Sequence, residues 1–171
     1  MLDAFEGQKK IRKAELIALP NRLKEKVGSG GIDEAVLNKA QELLENNTID
    51  FKPIAQMLMD VLNETITDAK NGRVKGESAI ESMLYPAMQL KAQGGMFHYP
   101  LISEISNILI NFLETVDDTD KDVMDIVVAH KMSMNAVLAS QIKGDGGKVG
   151  RELRDALLDA CARYYKSRDN A

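Results

Sequence analysis

The sequence predicts an all-α protein, an antiparallel helical bundle with a four- to five-helix core and an N-terminal helical arm. Apolar residues recur three and four positions apart along most of the 171 residues, which is the spacing of one face of a helix. Glycine, asparagine and proline interrupt these stretches at short polar turns. No stretch alternates apolar and polar residues as a half-buried strand would.

Residues 1–31 are expected to form a basic N-terminal arm with a glycine-rich hinge, and residues 32–171 to form the bundle domain. The first 28 residues carry seven Lys/Arg and four Asp/Glu, whereas the remainder carries fifteen and twenty-two. Within the arm, Pro20 interrupts a short apolar helical pattern, and Gly-Ser-Gly-Gly at 28–31 supplies the hinge. Because the body is acidic, we expect no nucleic-acid partner.

Six helices are predicted after the hinge. The first, over 33–46, begins at the capping residue Asp33 and is expected to pack on the outside of the bundle. The core helices are expected at 50–71, 77–93, 99–116, 121–142 and 147–166.

Local signals mark how these core helices begin and end. Asn71-Gly72 should close the first of them in a left-handed turn. Pro86 predicts a kink in the second, because proline removes a backbone donor. The third, 99–116, is apolar around most of its surface and should be the most buried. Asp120 can cap the fourth.

Composition also bears on the cellular compartment. Cys161 is the only cysteine, so no intramolecular disulfide can form and a buried thiol is expected. The N-terminus lacks the basic-then-apolar order of a signal peptide. The longest apolar helix, over 101–113, is too short and too polar to span a bilayer. We therefore expect a cytoplasmic protein with no membrane partner.

The stretch from Met88 to Leu101, MQLKAQGGMFHYPL, joins two of the predicted helices. Gly94-Gly95 break the first helical pattern. Tyr99-Pro100 begin the next helix, with proline in the first turn, where its missing N–H costs little. The stretch is therefore predicted to be the corner of a helical hairpin.

This corner resembles that of histidine-phosphotransfer (HPt-like) domains of bacterial two-component signalling, in a variant that reads roughly His-x-x-Lys/Arg-Gly-Gln-Gly-Gly-x-Phe-Gly-Tyr-Pro. Met88 stands where the phosphorylated histidine belongs, and Ala92 and His98 stand where this pattern has glycines. The likeness is close over the corner and extends loosely over 50–166. The positions that fit are Lys91, Gln93, Gly94, Gly95, Phe97, Tyr99 and Pro100.

The resemblance implies the bundle and a docking surface, but no catalytic step. A thioether has no transferable proton and little affinity for phosphorus, so Met88 cannot accept a phosphoryl group. Lys91 could still supply the cation that screens phosphoryl charge. The implied function is a non-catalytic, protein-binding signalling module of a phosphorelay, not an enzyme. Its partner would be a response-regulator receiver domain or a histidine kinase.

Helix geometry places the docking surface of such a module. Leu84, Ala87 and Leu90 mark the buried side of their helix, so Met88 and Lys91 share a flank turned away from it. The residues expected to bind the partner are Met88, Gln89, Lys91 and Ala92.

Other interpretations remain open. The corner could be only a tight turn in a structural or oligomerisation helical domain that is unrelated to phosphorelay. His98 on the turn and His130 in mid-helix could replace the missing phosphoacceptor. However, a lone loop histidine is usually solvated, and a mid-helix histidine usually lies at the core edge with a hydrogen bond.

No metal and no cofactor are predicted. The two histidines are 32 residues apart and the cysteine is distant, so the metal-ligand spacing is absent. Residues 144–150, GDGGKVG, lack the preceding strand and the Gly-Lys-Ser/Thr ending of a phosphate loop. We expect a structural turn there: Gly144 ends one helix, Asp145 begins the next, and Gly150 allows close helix contact. Anion binding at this helix start is the alternative.

The apolar content is high for a single bundle of this size. The arm adds four apolar residues beyond the core, Leu16, Ile17, Leu19 and Leu23. Apolar surface of this kind is usually covered by another element or subunit, which favours a homodimer.

Overall fold

The computed structural model describes residues 31–46 and 48–169. The predicted arm and hinge, except for Gly31, lie outside this range. The described residues form six α-helices, a 3-10 turn and no strand, which confirms the all-α prediction. The helices are α1 Glu34–Glu45, α2 Lys52–Lys70, α3 Gly76–Gly94, α4 Pro100–Leu113, α5 Lys121–Ala139 and α6 Gly147–Asp169, and the 3-10 turn is Gly95–Phe97.

Helices α2, α3, α4 and α5 form a four-helix bundle. Each packs against two others, in the cyclic order α2, α3, α4, α5, and α6 packs along α4 and α5. Short turns between successive helices make neighbours in sequence antiparallel. Residues from Gln41 onwards form one compact unit, which contains this bundle.

Helix α4 is the most buried element, as its sequence predicts. Only a narrow strip of it faces solvent, since apolar residues cover most of its circumference. Its buried residues are Leu101, Ile102, Ile105, Ser106, Ile108, Leu109, Ile110, Phe112 and Leu113.

Two helices end earlier than expected. The prediction that α5 reaches residue 142 is wrong, because Gln141 adopts a left-handed conformation with φ 49°. The N–H of Ile142 then bonds to the carbonyl of Val137 at 3.0 Å, which closes the last turn. The prediction that α4 reaches residue 116 is also wrong, because the helix ends at Leu113. Beyond this end, the Thr115 hydroxyl donates to the Phe112 carbonyl at 2.7 Å.

Other predicted helix ends are confirmed. Gly72 has φ 71°, and the N–H of Arg73 bonds to the carbonyl of Asp68 at 2.9 Å, so Asn71-Gly72 closes α2 in a left-handed turn. The Asp120 carboxylate accepts the N–H of Val123 at 3.0 Å and caps α5. Pro86 lies within α3, which remains a single helix across it.

Helix α1 follows its predicted cap but buries nothing. The Asp33 carboxylate accepts the N–H of Ala35 at 2.9 Å. None of the 12 residues of α1 is buried. Among residues 31–46 and 48–169, no helix combines the length and apolarity that crossing a membrane requires.

Candidate functional site

The corner between α3 and α4 depends on a close approach that only glycine permits. A Cβ added at Gly94 would lie 2.7 Å from the Ser103 hydroxyl and 2.9 Å from the Tyr99 carbonyl. At Gly95 the nearest such neighbour is 3.8 Å away. Of the two glycines in the motif, Gly94 is therefore the one that lets α4 pass close to the end of α3.

Ser103 joins the two helices at this corner. Its hydroxyl accepts the N–H of Gly95 at 2.9 Å and donates to the carbonyl of Lys91 at 2.7 Å. The last turn of a helix leaves carbonyls without partners, and this hydroxyl satisfies one of them. Sequence reasoning missed Ser103, because a serine within an apolar helix carries no motif.

His98 lies in the turn of the corner with a left-handed backbone, at a φ of 67°. Glycine meets no steric penalty in this conformation. Its N–H bonds to the Gly95 carbonyl, and its own carbonyl accepts the N–H of Gly144 at 3.0 Å. The position where the phosphotransfer-like pattern has glycine is thus one whose backbone favours glycine.

Aromatic side chains pack against the corner between α3 and α4. The ring of Phe51, which is buried, stacks on Phe97 with centroids 5.1 Å apart and planes at 11°. Tyr99 is tilted against the same ring at 5.7 Å. The motif residues Phe97 and Tyr99 therefore have a packing role that anchors the corner to the residue preceding α2.

The predicted docking residues lie on α3 directly before this corner. Met88 is 48% exposed, whereas Ala87 and Leu90 are fully buried. Lys91 is exposed in the last turn of α3. We call the surface formed by Met88, Gln89, Lys91 and Ala92 the Met88 face.

The Met88 face combines an apolar and a cationic group. Gln89 is half-buried and accepts a hydrogen bond from the Gln93 amide at 3.2 Å, while Ala92 is exposed. None of the ion pairs formed within residues 31–46 and 48–169 involves Lys91. Its ammonium group is therefore available to an anionic partner.

His130 lies inside the bundle rather than at its edge, so that expectation is wrong. Its side chain is fully buried, and Nδ1–H donates to the Ile126 carbonyl at 2.8 Å. Burial lowers the pKa of the imidazole, an effect that the hydrogen bond to Ile126 opposes. Nε2 has no hydrogen-bond partner among the described residues. A group so enclosed is inaccessible to a phosphoryl donor, whereas His98 is half-exposed on the corner.

The glycine-rich turn before α6 makes structural contacts, but the expectation that Gly144 ends a helix is wrong, because α5 already ends at Ala139. Asp145 accepts the N–H of Gly147 at 2.9 Å, so this donor is already occupied. A Cβ at Gly146 would lie 2.8 Å from Leu101, and one at Gly150 would overlap the Asp145 carbonyl. Gly144 ties the turn to His98.

No cluster of three or more His, Cys, Asp or Glu side chains suited to a metal ion occurs in the part of the chain that the structure describes. Comparisons of the chain with protein-family models, with curated proteins and with solved structures found no match.

Proposed function

We propose that this domain is a non-catalytic signalling module that binds a response-regulator receiver domain, as a phosphotransfer domain without its phosphoacceptor histidine would. The observation that supports this proposal is the shared exposure of Met88 and Lys91 on a bundle helix, next to a corner that resembles that family. The left-handed backbone of His98, at the position of a family glycine, adds to the support.

The chemistry of the Met88 face fits such a partner. A receiver domain carries an acidic phosphorylation pocket, and an unpaired ammonium group is attracted to it. The Met88 side chain adds a flexible apolar contact that adapts to a partner surface. Since a thioether accepts no phosphoryl group, binding would occupy the receiver without removing its phosphoryl group. A histidine kinase is the alternative partner.

Charge reversal at Lys91 tests the proposal. Titration calorimetry with purified receiver domains should give lower affinity for Lys91→Glu than for the unchanged protein, by about tenfold or more, because removing an attraction and adding a repulsion costs over about 1.4 kcal/mol. Lys70→Glu is the matched control. It also reverses an exposed lysine in the last turn of a bundle helix, α2, and should leave affinity unchanged.

The outcomes separate the proposal from its competitor. Equal affinity of the two variants for a receiver would place the binding surface elsewhere. Failure of the unchanged protein to bind any receiver domain or kinase from its source would favour the alternative, a structural or oligomerisation domain unrelated to phosphorelay.

A further inference from the structure

An open groove runs between α4 and α6, on helices that do not carry the Met88 face. Its volume is about 590 Å³. Apolar side chains of both helices lie along it, including Phe112, Cys161 and Leu158. Leu158 is 47% exposed, so the bundle itself leaves the groove uncovered. We call it the α4–α6 groove.

Polar contacts mark the two ends of the α4–α6 groove. At one end, Arg154 of α6 lies 3.7 Å from the Glu104 carboxylate of α4. At the other, the hydroxyls of Thr115 and Tyr165 are hydrogen bonded. Between these ends Asn107 and Asn111 of α4 also line the groove, and the rest of the lining is apolar. A mainly apolar groove of this kind accepts the apolar face of an amphipathic helix.

Helix α1 carries an apolar face of the matching kind. Its apolar residues at positions 36, 37, 40, 43 and 44 share one side at helical spacing. Val36, Leu37, Leu43 and Leu44 are each at least 50% exposed. An isolated helix of 12 residues is marginal in water, and packing of such a face is what normally stabilises it.

The lengths of helix and groove agree. The groove follows α6 from Arg154 to Tyr165, about 16 Å, and follows α4 from Glu104 to Phe112, continuing to Thr115 just past the end of that helix. Helix α1 is about 18 Å long. One α1 therefore fills one groove lengthwise.

The charges of the two helices are opposite. Helix α1 has three glutamates and one lysine. Helix α6 has six Lys/Arg and four Asp/Glu. The groove lining itself holds one cation, Arg154, beside the carboxylate of Glu104. The attraction of an acidic helix therefore comes from the net positive charge of α6 as a whole.

We propose that the α4–α6 groove is the docking site for α1 of a second copy of this chain, in a symmetric dimer with two such contacts. The chain carries both complementary surfaces, so a two-fold axis satisfies both of them at once. A stable interface buries roughly 1,200–2,000 Å² in total, and a two-fold axis doubles the area that a single helix-in-groove contact supplies. The proposal is independent of what the Met88 face binds.

Light scattering on the full chain tests the dimer. The unchanged protein should show twice the mass of one chain, and Leu43→Glu on α1 or Leu158→Glu in the groove should each give the monomer mass. Both side chains are exposed, so neither change disrupts the core, and circular dichroism checks this. Asn38→Glu, on the opposite side of α1, and Met132→Glu, an exposed apolar position on α5, should remain dimeric.

Cross-linking identifies which copy supplies the helix. Cys161 lines the floor of the groove, is only 7% exposed and is the only native cysteine, so a second cysteine on α1 that enters the groove can report the contact. Leu37→Cys and Leu43→Cys probe two points along the helix. After oxidation, at least one should give a covalent dimer that disappears when Cys161→Ala is added. Asn38→Cys, on the far side of α1, should give none that depends on Cys161.

Two results would overturn the proposal. One is a monomer mass at every protein concentration. The other is an oxidised product of monomer mass without free thiols, since that would mean that α1 occupies the groove of its own chain.

Discussion

The Ser103 hydroxyl of α4 donates a 2.7 Å hydrogen bond to the carbonyl of Lys91 in the last turn of α3. The backbone that carries Lys91 is therefore held by a side chain of the neighbouring helix, and not only by its own helix. Because the hydroxyl also accepts the N–H of Gly95, its position is fixed by two backbone groups.

Ser103→Ala should lower the free energy of unfolding by about 1 kcal/mol, since it removes two hydrogen bonds that are partly open to water. Urea denaturation followed by circular dichroism measures the loss. Ser82→Ala is the control. The Ser82 hydroxyl donates only to Ser78 of its own helix, so that substitution should be close to neutral or slightly stabilising. Equal effects of the two substitutions would contradict the role of Ser103.

The adjacent glycines of the corner should respond to alanine in opposite ways. Gly94→Ala should destabilise the protein by about 1–3 kcal/mol, because the new methyl group meets the Tyr99 carbonyl, and backbone cannot easily move aside. Gly95→Ala should be neutral or stabilise by up to about 1 kcal/mol, since φ is −64° and the space is open. Thermal denaturation of both variants decides between these expectations. Similar shifts of Tm in the two variants would show that the close approach is absent.

The buried His130 should make the protein less stable in mild acid. Burial lowers the pKa of this imidazole below its ordinary value of 6.5, so the unfolded chain takes up a proton more readily than the folded one. Stability is then complete above about pH 6.5 and falls as the pH drops towards the folded-state pKa, by at most about 1.4 kcal/mol per pH unit.

Urea denaturation between about pH 5 and pH 8 measures this slope. His130→Leu should flatten it, because the titrating group is gone. A slope that persists in His130→Leu would assign the effect to other groups.

If the proposed function holds, Met88→His should confer phosphoryl acceptance. The imidazole would lie three residues before Lys91, on the exposed side of α3, as the family pattern requires. Incubation with a phosphorylated receiver domain should label this variant and not the unchanged protein. The double variant with Lys91→Ala should be labelled more slowly, because the cation that screens the phosphoryl charge is absent. A folded Met88→His variant that binds the receiver but takes no label would count against the relationship.

The fold could be predicted because each of its signals is local. Apolar residues at helical spacing placed α2 to α6, and Asn71-Gly72 and Asp120 marked their ends. The end of α5 was missed because Gln141 takes the left-handed position that glycine or asparagine normally signals. Sequence cannot show this, since the last-turn hydrogen bonds, and not the residue type, hold Gln141 there.

The candidate site was predictable only in part. The helical period sufficed to place Met88 and Lys91 on an exposed flank of α3. Ser103 was missed because its partners lie 8 and 12 residues away, at distances that no local pattern encodes. The α4–α6 groove was missed for a similar reason, since it forms between helices that are not consecutive in the chain.

The stacking of Phe51 on Phe97 also has a consequence for the order of assembly. The corner closes through bonds between near neighbours in sequence, such as the N–H of Tyr99 to the Gly94 carbonyl at 2.7 Å. The Phe51 contact spans a much longer loop, whose closure costs more chain entropy. We therefore expect α3 and α4 to pack together before the Phe51 ring stacks on Phe97. In stopped-flow kinetics, Phe51→Leu should speed unfolding and leave the refolding rate nearly unchanged. A slower refolding rate would instead place Phe51 in the folding nucleus, so that folding would begin at the segment immediately before α2.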